Sequence, residues 1–261
     1  MTEDEKRPCC RVFLVGEGPC DIGDLAVEPT YRDADHHRVG FLRPLLTTLA
    51  EPHFELEFDG QKIAHIPKVP AKQGKAFMRR KIAQALVLAT QADADILVFA
   101  RDLDRQSGTK ASRVERRKRH AAMLDELRSD MQEAMDADAD LRRIAVLVAI
   151  PVRMIEAWAL ADRDALAAVL DGEPEGMPGG SPEDYWGDED DPDSNHPKCV
   201  FKRVLSEDAS AELLGRIAEL VDPDELSRTC PDSFAPFRDD VLAQVEICRG
   251  PRKGRLRDGA R

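Results

Sequence analysis

Several things are missing from this 261-residue chain, and each absence removes a class of protein. No segment approaches the roughly 20 consecutive apolar residues that a membrane span requires. The opening MTEDEKRPCC is acidic and carries no apolar h-region before the first strand-like segment, so no secretory signal is expected. The six cysteines (Cys9, Cys10, Cys20, Cys199, Cys230 and Cys248) form neither a dense framework nor a C-x-x-C pair. They are expected to be reduced thiols in a cytoplasmic protein. Aromatic residues make up only 5% and are not interleaved with basic ones, which argues against a stacking platform for single strands. The G-x-x-x-x-G-K-[ST] pattern of a P-loop is absent, and so is the G-x-S-x-G of a serine hydrolase. Asp33, Asp35, His36 and His37 lie close in sequence, but adjacent side chains diverge and no second cluster accompanies them. No zinc site is expected there. His65, His120 and His196 stand alone and carry no argument.

What is present is enough for a globular core: 42% hydrophobic residues against 34% charged. At about 150 residues per domain, the length allows one large domain, or one with a small annex. The net charge of −12 argues against a chain-wide nucleic-acid coat, yet the charge is segregated. Lys68 to Lys81 holds six basic residues and no acid, and Arg101 to Arg119 holds eight basic residues against three acids. The stretch from Asp171 to Asp193 carries ten acids and no base. Ordinary solvated helix faces would look like this, and so would a local anion-binding surface.

Short apolar runs alternate with helical patterns through the first 170 residues. RVFLV (Arg11 to Val15), one of Phe54 to Phe58 or Ile63 to Ile66, DILVFA (Asp95 to Ala100) and Ile144 to Ile150 read as strands. Helices are predicted through FLRPLLTTLA, over Lys75 to Ala92, over Arg113 to Met135, and from Pro151 through Leu170. This order predicts an α/β domain over 1–170 with a mostly parallel sheet flanked by helices. Residues 171–197 read as an acidic linker or loop. A small C-terminal helical annex is expected over 198–249, with Asp222 as an N-cap before Pro223. The basic tail, 250–261, is expected to be disordered.

Two segments place acids just past the carboxyl ends of apolar strands. VFLVGEGPCD carries Glu17 in a glycine-flanked turn, with Asp21 four residues on. ILVFARDLDR carries Asp102 and Asp104, which point the same way on an extended backbone and can converge on one ion. In an open parallel sheet, ligands bind at those strand ends. Hard carboxylates suit Mg²⁺ or Mn²⁺. Any one of these acids alone would serve equally as a helix cap or turn residue.

Glu17 within Gly16-Glu17-Gly18, followed by Asp102-Leu103-Asp104, resembles the Toprim domain of topoisomerases, primases and overcoming-lysogenisation-defect nucleases. Ile150-Pro151 with the stretch from Ile155 to Asp162 (IEAWALAD) is similar to the I-E-x-W-x-L-A-D motif of a bacterial Toprim-like family. Pro197-Lys198 and Ser233-Phe234 are similar too. The resemblance covers roughly 11–245 through short motifs, and the loop from Asp33 to Arg38 departs from it. It implies that the glutamate acts as general acid/base and the aspartates as metal ligands. It also implies an anti-phage role beside an ATPase partner protein.

Glu156 has two readings. It lies about 100° from Ile155 around its helix, so it is either a surface glutamate on a helix that packs through Trp158, or a further metal ligand. Lys68, Lys72, Lys75 and Arg79 precede the acid-bearing strand, and Arg101 and Arg105 flank the Asp pair. Cations beside acids are what a phosphodiester substrate requires. The leading expectation is therefore a Mg²⁺- or Mn²⁺-dependent nucleic-acid phosphodiesterase acting on DNA ahead of RNA. Glu17, Asp102, Asp104 and Glu156 would be its catalytic and metal residues. Two rivals stand beside it: a Toprim-like metal- or nucleotide-binding subunit without turnover, and a non-enzymatic protein that docks a partner through its acidic segment and helical annex. Replacing Lys72, Lys75 and Arg79 together should weaken binding to duplex DNA. It should also remove about 0.9 from the log–log salt slope per lost phosphate contact; an unchanged slope would place the substrate elsewhere.

Overall fold

The computed structural model describes residues 7–27, 38–51, 53–67, 75–103 and 112–249, with 75–80 and 249 placed by backbone alone. Four strands form one sheet: β1 (Cys9–Gly16), β2 (Glu55–Lys62), β3 (Ile96–Ala100) and β4 (Ala145–Ala149). All pairings are parallel, in the order β2-β1-β3-β4. The predicted α/β class with a parallel sheet is what forms. β2 is the strand taken from the Phe54 to Phe58 candidate. It is the most polar of the four and occupies one edge, where its charged residues guard unpaired backbone groups.

The inner strands are apolar from Val12 to Val15 and from Ile96 to Ala100, where both faces are covered. Cys10, Val12, Leu14, Val98, Ala100 and Leu147 point to one face, and Phe13, Val15, Leu97, Phe99 and Val148 to the other. On the second face lie α3 (Lys75–Gln91), through Ile82, Ala85, Leu86 and Ala89, and α4 (Arg113–Ala137), through Leu127 and Met131. The first face receives α2 (Leu42–Ala50) and the C-terminal helices: α7 (Pro197–Leu205), α8 (Ala211–Leu220), α9 (Pro223–Thr229) and α10 (Phe234–Arg249). Val241 and Val245 of α10 share one hydrophobic cluster with Cys10 and Val98 of the sheet, so the C-terminal helices complete the main core. A four-residue turn of helix, α1 (Pro19–Ile22), follows β1.

The single helix predicted from Pro151 through Leu170 forms as two, α5 (Ile155–Ala159) and α6 (Arg163–Leu170). Pro151 lies ahead of both, and its carbonyl accepts Leu103 N–H at 3.0 Å, which extends the β3–β4 pairing. Asp162 makes the break. Its Oδ1 accepts the N–H groups of Asp164 and Ala165, while Oδ2 accepts Asp222 N–H at 2.8 Å. A carboxylate that caps a new helix in this way competes with continuing the old one. Asp222 in turn caps α9 through Asp224 N–H, as predicted.

Much of the acidic segment is fastened to the body. Glu183 is 1% exposed and accepts from Ser233 Oγ (2.5 Å) and Asp232 N–H (3.0 Å). Ser233 Oγ itself accepts Trp158 Nε1–H at 2.8 Å, so one hydroxyl connects the α5 indole to the segment. Phe234 meets the Trp158 ring edge-on at 5.2 Å and Phe237 stacks on it at 5.7 Å. Arg203 of α7 adds donations to the carbonyls of Gly176 and Ser194. Burial pushes the Glu183 carboxyl up, and its two hydrogen bonds reverse part of that rise. Ser233→Ala would leave buried polar groups on Trp158 and Glu183 without this partner, at a cost of about 1–3 kcal/mol. Urea unfolding measures it, and an unchanged midpoint would show that the network contributes nothing to stability.

Candidate functional site

Strand order decides where the acids can meet. β1 is followed in space by β2 on one side, and the chain then crosses to place β3 on the other, so the order in which strands are added switches between β1 and β3 while all stay parallel. Val15 pairs with Phe99 near the carboxyl ends of these strands. Glu17 therefore leaves β1 beside the point where Asp102 leaves β3. Asp102 is half-buried and lies between two backbone bonds that hold its segment to the next strand, Arg101 N–H to Ala149 O (2.9 Å) and Leu103 N–H to Pro151 O.

The turn after β1 is built around Asp21. Its Oδ2 accepts the N–H groups of Glu17 (2.7 Å) and Gly18 (2.9 Å), donors at the start of α1 that no helical carbonyl can serve. Gly16 is required for this packing. A Cβ there would stand 2.8 Å from Ile22 Cγ2 and 3.2 Å from Asp21 Oδ2. Sequence spacing alone does not mark Asp21 as part of the site. Its burial is a tertiary property.

Electrostatics shows that the acids share one neighbourhood. Burial, together with the negative charges of Glu156 and Glu17, raises Asp21 to about 7 against the pull of its two backbone hydrogen bonds. Burial also raises Glu156, which is 6% exposed, with the Lys198 charge opposing. The surface reading of Glu156 is therefore wrong: α5 presents it inward while Trp158, in the same helix, anchors the core. Cys20 is raised to about 12 by burial and by the charges of Glu156 and Asp21, with Lys198 lowering it and Asp102 raising it slightly. A thiol held protonated to that degree is no nucleophile.

A cation from the far half of the chain faces this group. Lys198, in the first turn of α7, pairs with Glu189 at 3.1 Å. Burial works against its ammonium, but Glu189 with Glu156 and Asp102 outweighs it and holds Lys198 above the ordinary lysine value. Lys198 lies far from the other residues in sequence, and no spacing links it to them.

Asp104, Arg105, Lys68 and Lys72 lie outside the described residues, as do 28–37 and 250–261. Lys75 and Arg79 fall in the first turns of α3 by backbone position. That end of α3 is held to the chain just beyond β2 by Lys81, whose ammonium donates to the carbonyls of Ile63 and Ile66. Both are thus near the carboxyl edge of the sheet. Among the described residues, no three His, Cys, Asp or Glu side chains stand close enough together to hold a metal ion.

Residues 40–242 match the model of a family described as Domain of unknown function (DUF4276). The chain belongs to this family. No curated protein and no solved structure matches it. The DUF4276 match contains Asp102, Glu156 and Lys198 but starts beyond β1, so Glu17 and Asp21 fall outside it. No helix among the described residues is long and apolar enough to cross a membrane.

Asp21 gives this site a measurable signature. Its folded-state value, about 7, lies above that of the unfolded chain, so the folded protein keeps a proton that the unfolded chain releases. That contribution to stability is complete below the ordinary aspartate value and disappears as pH rises through about 7. In metal-free buffer the melting temperature should fall between about pH 5 and about pH 8. Asp21→Asn keeps an acceptor for both N–H groups and should flatten that fall. An identical pH profile in the variant would separate Asp21 from Glu156 and Glu17.

Proposed function

We propose that the chain is a metal-dependent nucleic-acid phosphodiesterase built on a Toprim-like sheet. The observation that carries the reading is that Glu17 and Asp102 leave neighbouring strand ends at the β1–β3 switch of strand order, with Asp21, which burial and then the charges of Glu156 and Glu17 raise to about 7, in the turn beside them. Carboxylates brought to one edge of a sheet repel one another, and a divalent cation offsets that repulsion.

The chemistry of the donors fits Mg²⁺ or Mn²⁺: hard oxygens from Glu17, Asp102 and Glu156, and a protonated Cys20 in place of a thiolate. A divalent ion held by these carboxylates, with Asp104 joining them, would polarise the phosphate and lower the pKa of an attacking water. Glu17, in the turn after β1, would accept a proton from the attacking water. Lys198 offers its ammonium to a phosphate oxygen and must leave Glu189 to do so. Arg101, beside Asp102, and Lys75 and Arg79, at the start of α3, lie along the same edge, where a nucleic-acid backbone would run.

Nicking of supercoiled plasmid DNA with Mg²⁺ or Mn²⁺ tests the reading. Asp102→Asn and Glu156→Gln keep side-chain shape and remove charge. Each should lower nicking by at least the roughly 10- to 100-fold that loss of a supporting group costs a metal site, with the circular dichroism unchanged. Glu156→Gln should also demand more Mn²⁺. Calorimetric titration that shows Mn²⁺ binding without nicking of DNA or RNA would replace the enzyme with a metal-binding subunit. Full activity in both variants would overturn the assignment of these acids.

A further inference from the structure

The sheet has an edge at β2 that the carboxylate site does not use. Glu55 N–H donates to Pro8 O at 3.2 Å, on the β1 side. In a strand both backbone groups of one residue point to one side, and those of the next residue to the other. Glu55 and Glu57 therefore turn theirs to β1, while Leu56 and Phe58 turn theirs outward. Among the described residues, nothing bonds to these outward N–H and C=O groups. Beyond them the edge is engaged, because Gly60 N–H donates to Asp59 Oδ1 at 2.7 Å. The open stretch runs from Glu55 to Phe58.

Its two faces differ in chemistry. Leu56 and Phe58 lie in register with Cys10 and Val12, on the face that receives α2. A groove on that face is lined by Phe58, by Arg43, Thr47 and Glu51 of α2, and by Glu219 of α8. Arg43 is committed to Asp24 at 2.7 Å, with its guanidinium 5.7 Å from the centre of the Phe58 ring. Glu51 and Glu219 are exposed. On the opposite face Glu55 and Glu57 are exposed as well. Glu57 shares Arg11 with Asp93, and Glu55 has no ion pair among the described residues.

These features select an occupant. A strand added to β2 sets its side chains alternately against the groove and against Glu55 and Glu57. A second copy of the chain would bring the two acids of one β2 opposite those of the other, and like charges directly opposite destabilise a sheet. The same acids repel a nucleic-acid backbone. Basic side chains toward Glu55 and Glu57, with apolar ones toward Phe58, satisfy both faces. We propose that the outer edge of β2, from Glu55 to Phe58, is a strand-addition site for an extended segment of a partner protein in which basic and apolar side chains alternate. Backbone bonds to Leu56 and Phe58 supply the hold, and the acids supply the selection. The inference is independent of the phosphodiesterase reading, none of whose residues it uses.

A short fluorescein-labelled peptide of alternating lysine and valine, titrated into the full chain and followed by anisotropy, tests it. Two further peptides carry N-methyl groups on every lysine or on every valine. An antiparallel added strand turns the backbone of its valines to β2, and a parallel one that of its lysines. One of the two should therefore bind at least about tenfold more weakly than the parent, and the other should keep most of the affinity. Glu55→Lys should weaken the parent peptide about tenfold, with little change in melting temperature because the residue is exposed. Hydrogen exchange at Leu56 and Phe58 should slow when the peptide binds. Equal binding by both N-methylated peptides would overturn the inference, reducing the attraction to charge on a chain of net −12. Amides of Leu56 and Phe58 already protected in the free chain would overturn it too, since the chain would then cover its own edge. So would a dimer in sedimentation that the peptide dissociates, which would put a second copy there.

Discussion

The pairing of β1 with β3 fixes where Glu17 and Asp102 stand, and the rest of the site is arranged around them. Parallel strands all end at one edge, and the crossover that places β2 and β3 on opposite sides of β1 opens a gap between the chains leaving β1 and β3. Glu17 and Asp102 leave the sheet at that gap. A register slip of one residue would turn Leu14 and Val98 from the α10 face to the α3 face and dissolve both cores. The hydrophobic alternation on both faces therefore enforces the position of the acids without any contact between the acids themselves.

The IEAWALAD stretch divides into parts with separate duties. Trp158 is wholly buried and joins α5 to α10 through Phe234 and Phe237, and to the acidic segment through Ser233. Asp162 ends one helix and starts the next while holding Asp222. Neither faces the carboxylates. Glu156 does, and it can because the indole two residues on carries the packing of the helix. A short helix with a buried charge near its start would otherwise have little to hold it in place. The stretch thus mixes residues that build the fold with one buried carboxylate set among other acids, and only burial and neighbouring charges separate them.

Charge segregation takes on a physical sense in three dimensions. The acidic stretch from Asp171 to Asp193 reads as a solvated linker, yet Glu183 is buried in a hydrogen-bond network and Glu189 holds Lys198. Asp232 is pushed up by burial, but Arg113 and Arg117 of α4 more than reverse this and hold it below the ordinary aspartate value. Part of the basic excess at the start of α4 is therefore spoken for within the fold: Arg116 pairs with Asp184 and Arg119 with Glu115. These are structural contacts, and they explain why a basic run in sequence overstates the cationic surface that the protein presents.

By itself, the sequence determined the α/β class, three of the four strand positions with two candidates for the fourth, and the boundaries of α8, because periodicity and local caps such as Asp222 act within a few residues. It also put Glu17 and Asp102 at strand ends, since an apolar run that stops at a charge is a local signal. Only tertiary structure decided the strand order, and with it that these two ends are neighbours, because pairing between distant segments leaves no mark in spacing. It decided that Glu156 faces inward, that Asp21 is buried where like charges raise its pKa, and that Lys198 arrives from the far half of the chain. The positive φ of Arg153 was invisible too, since such a value at a non-glycine residue is imposed by the surroundings and not by the residue. Local physics chose the elements; the long-range packing of apolar faces chose which charges must live together.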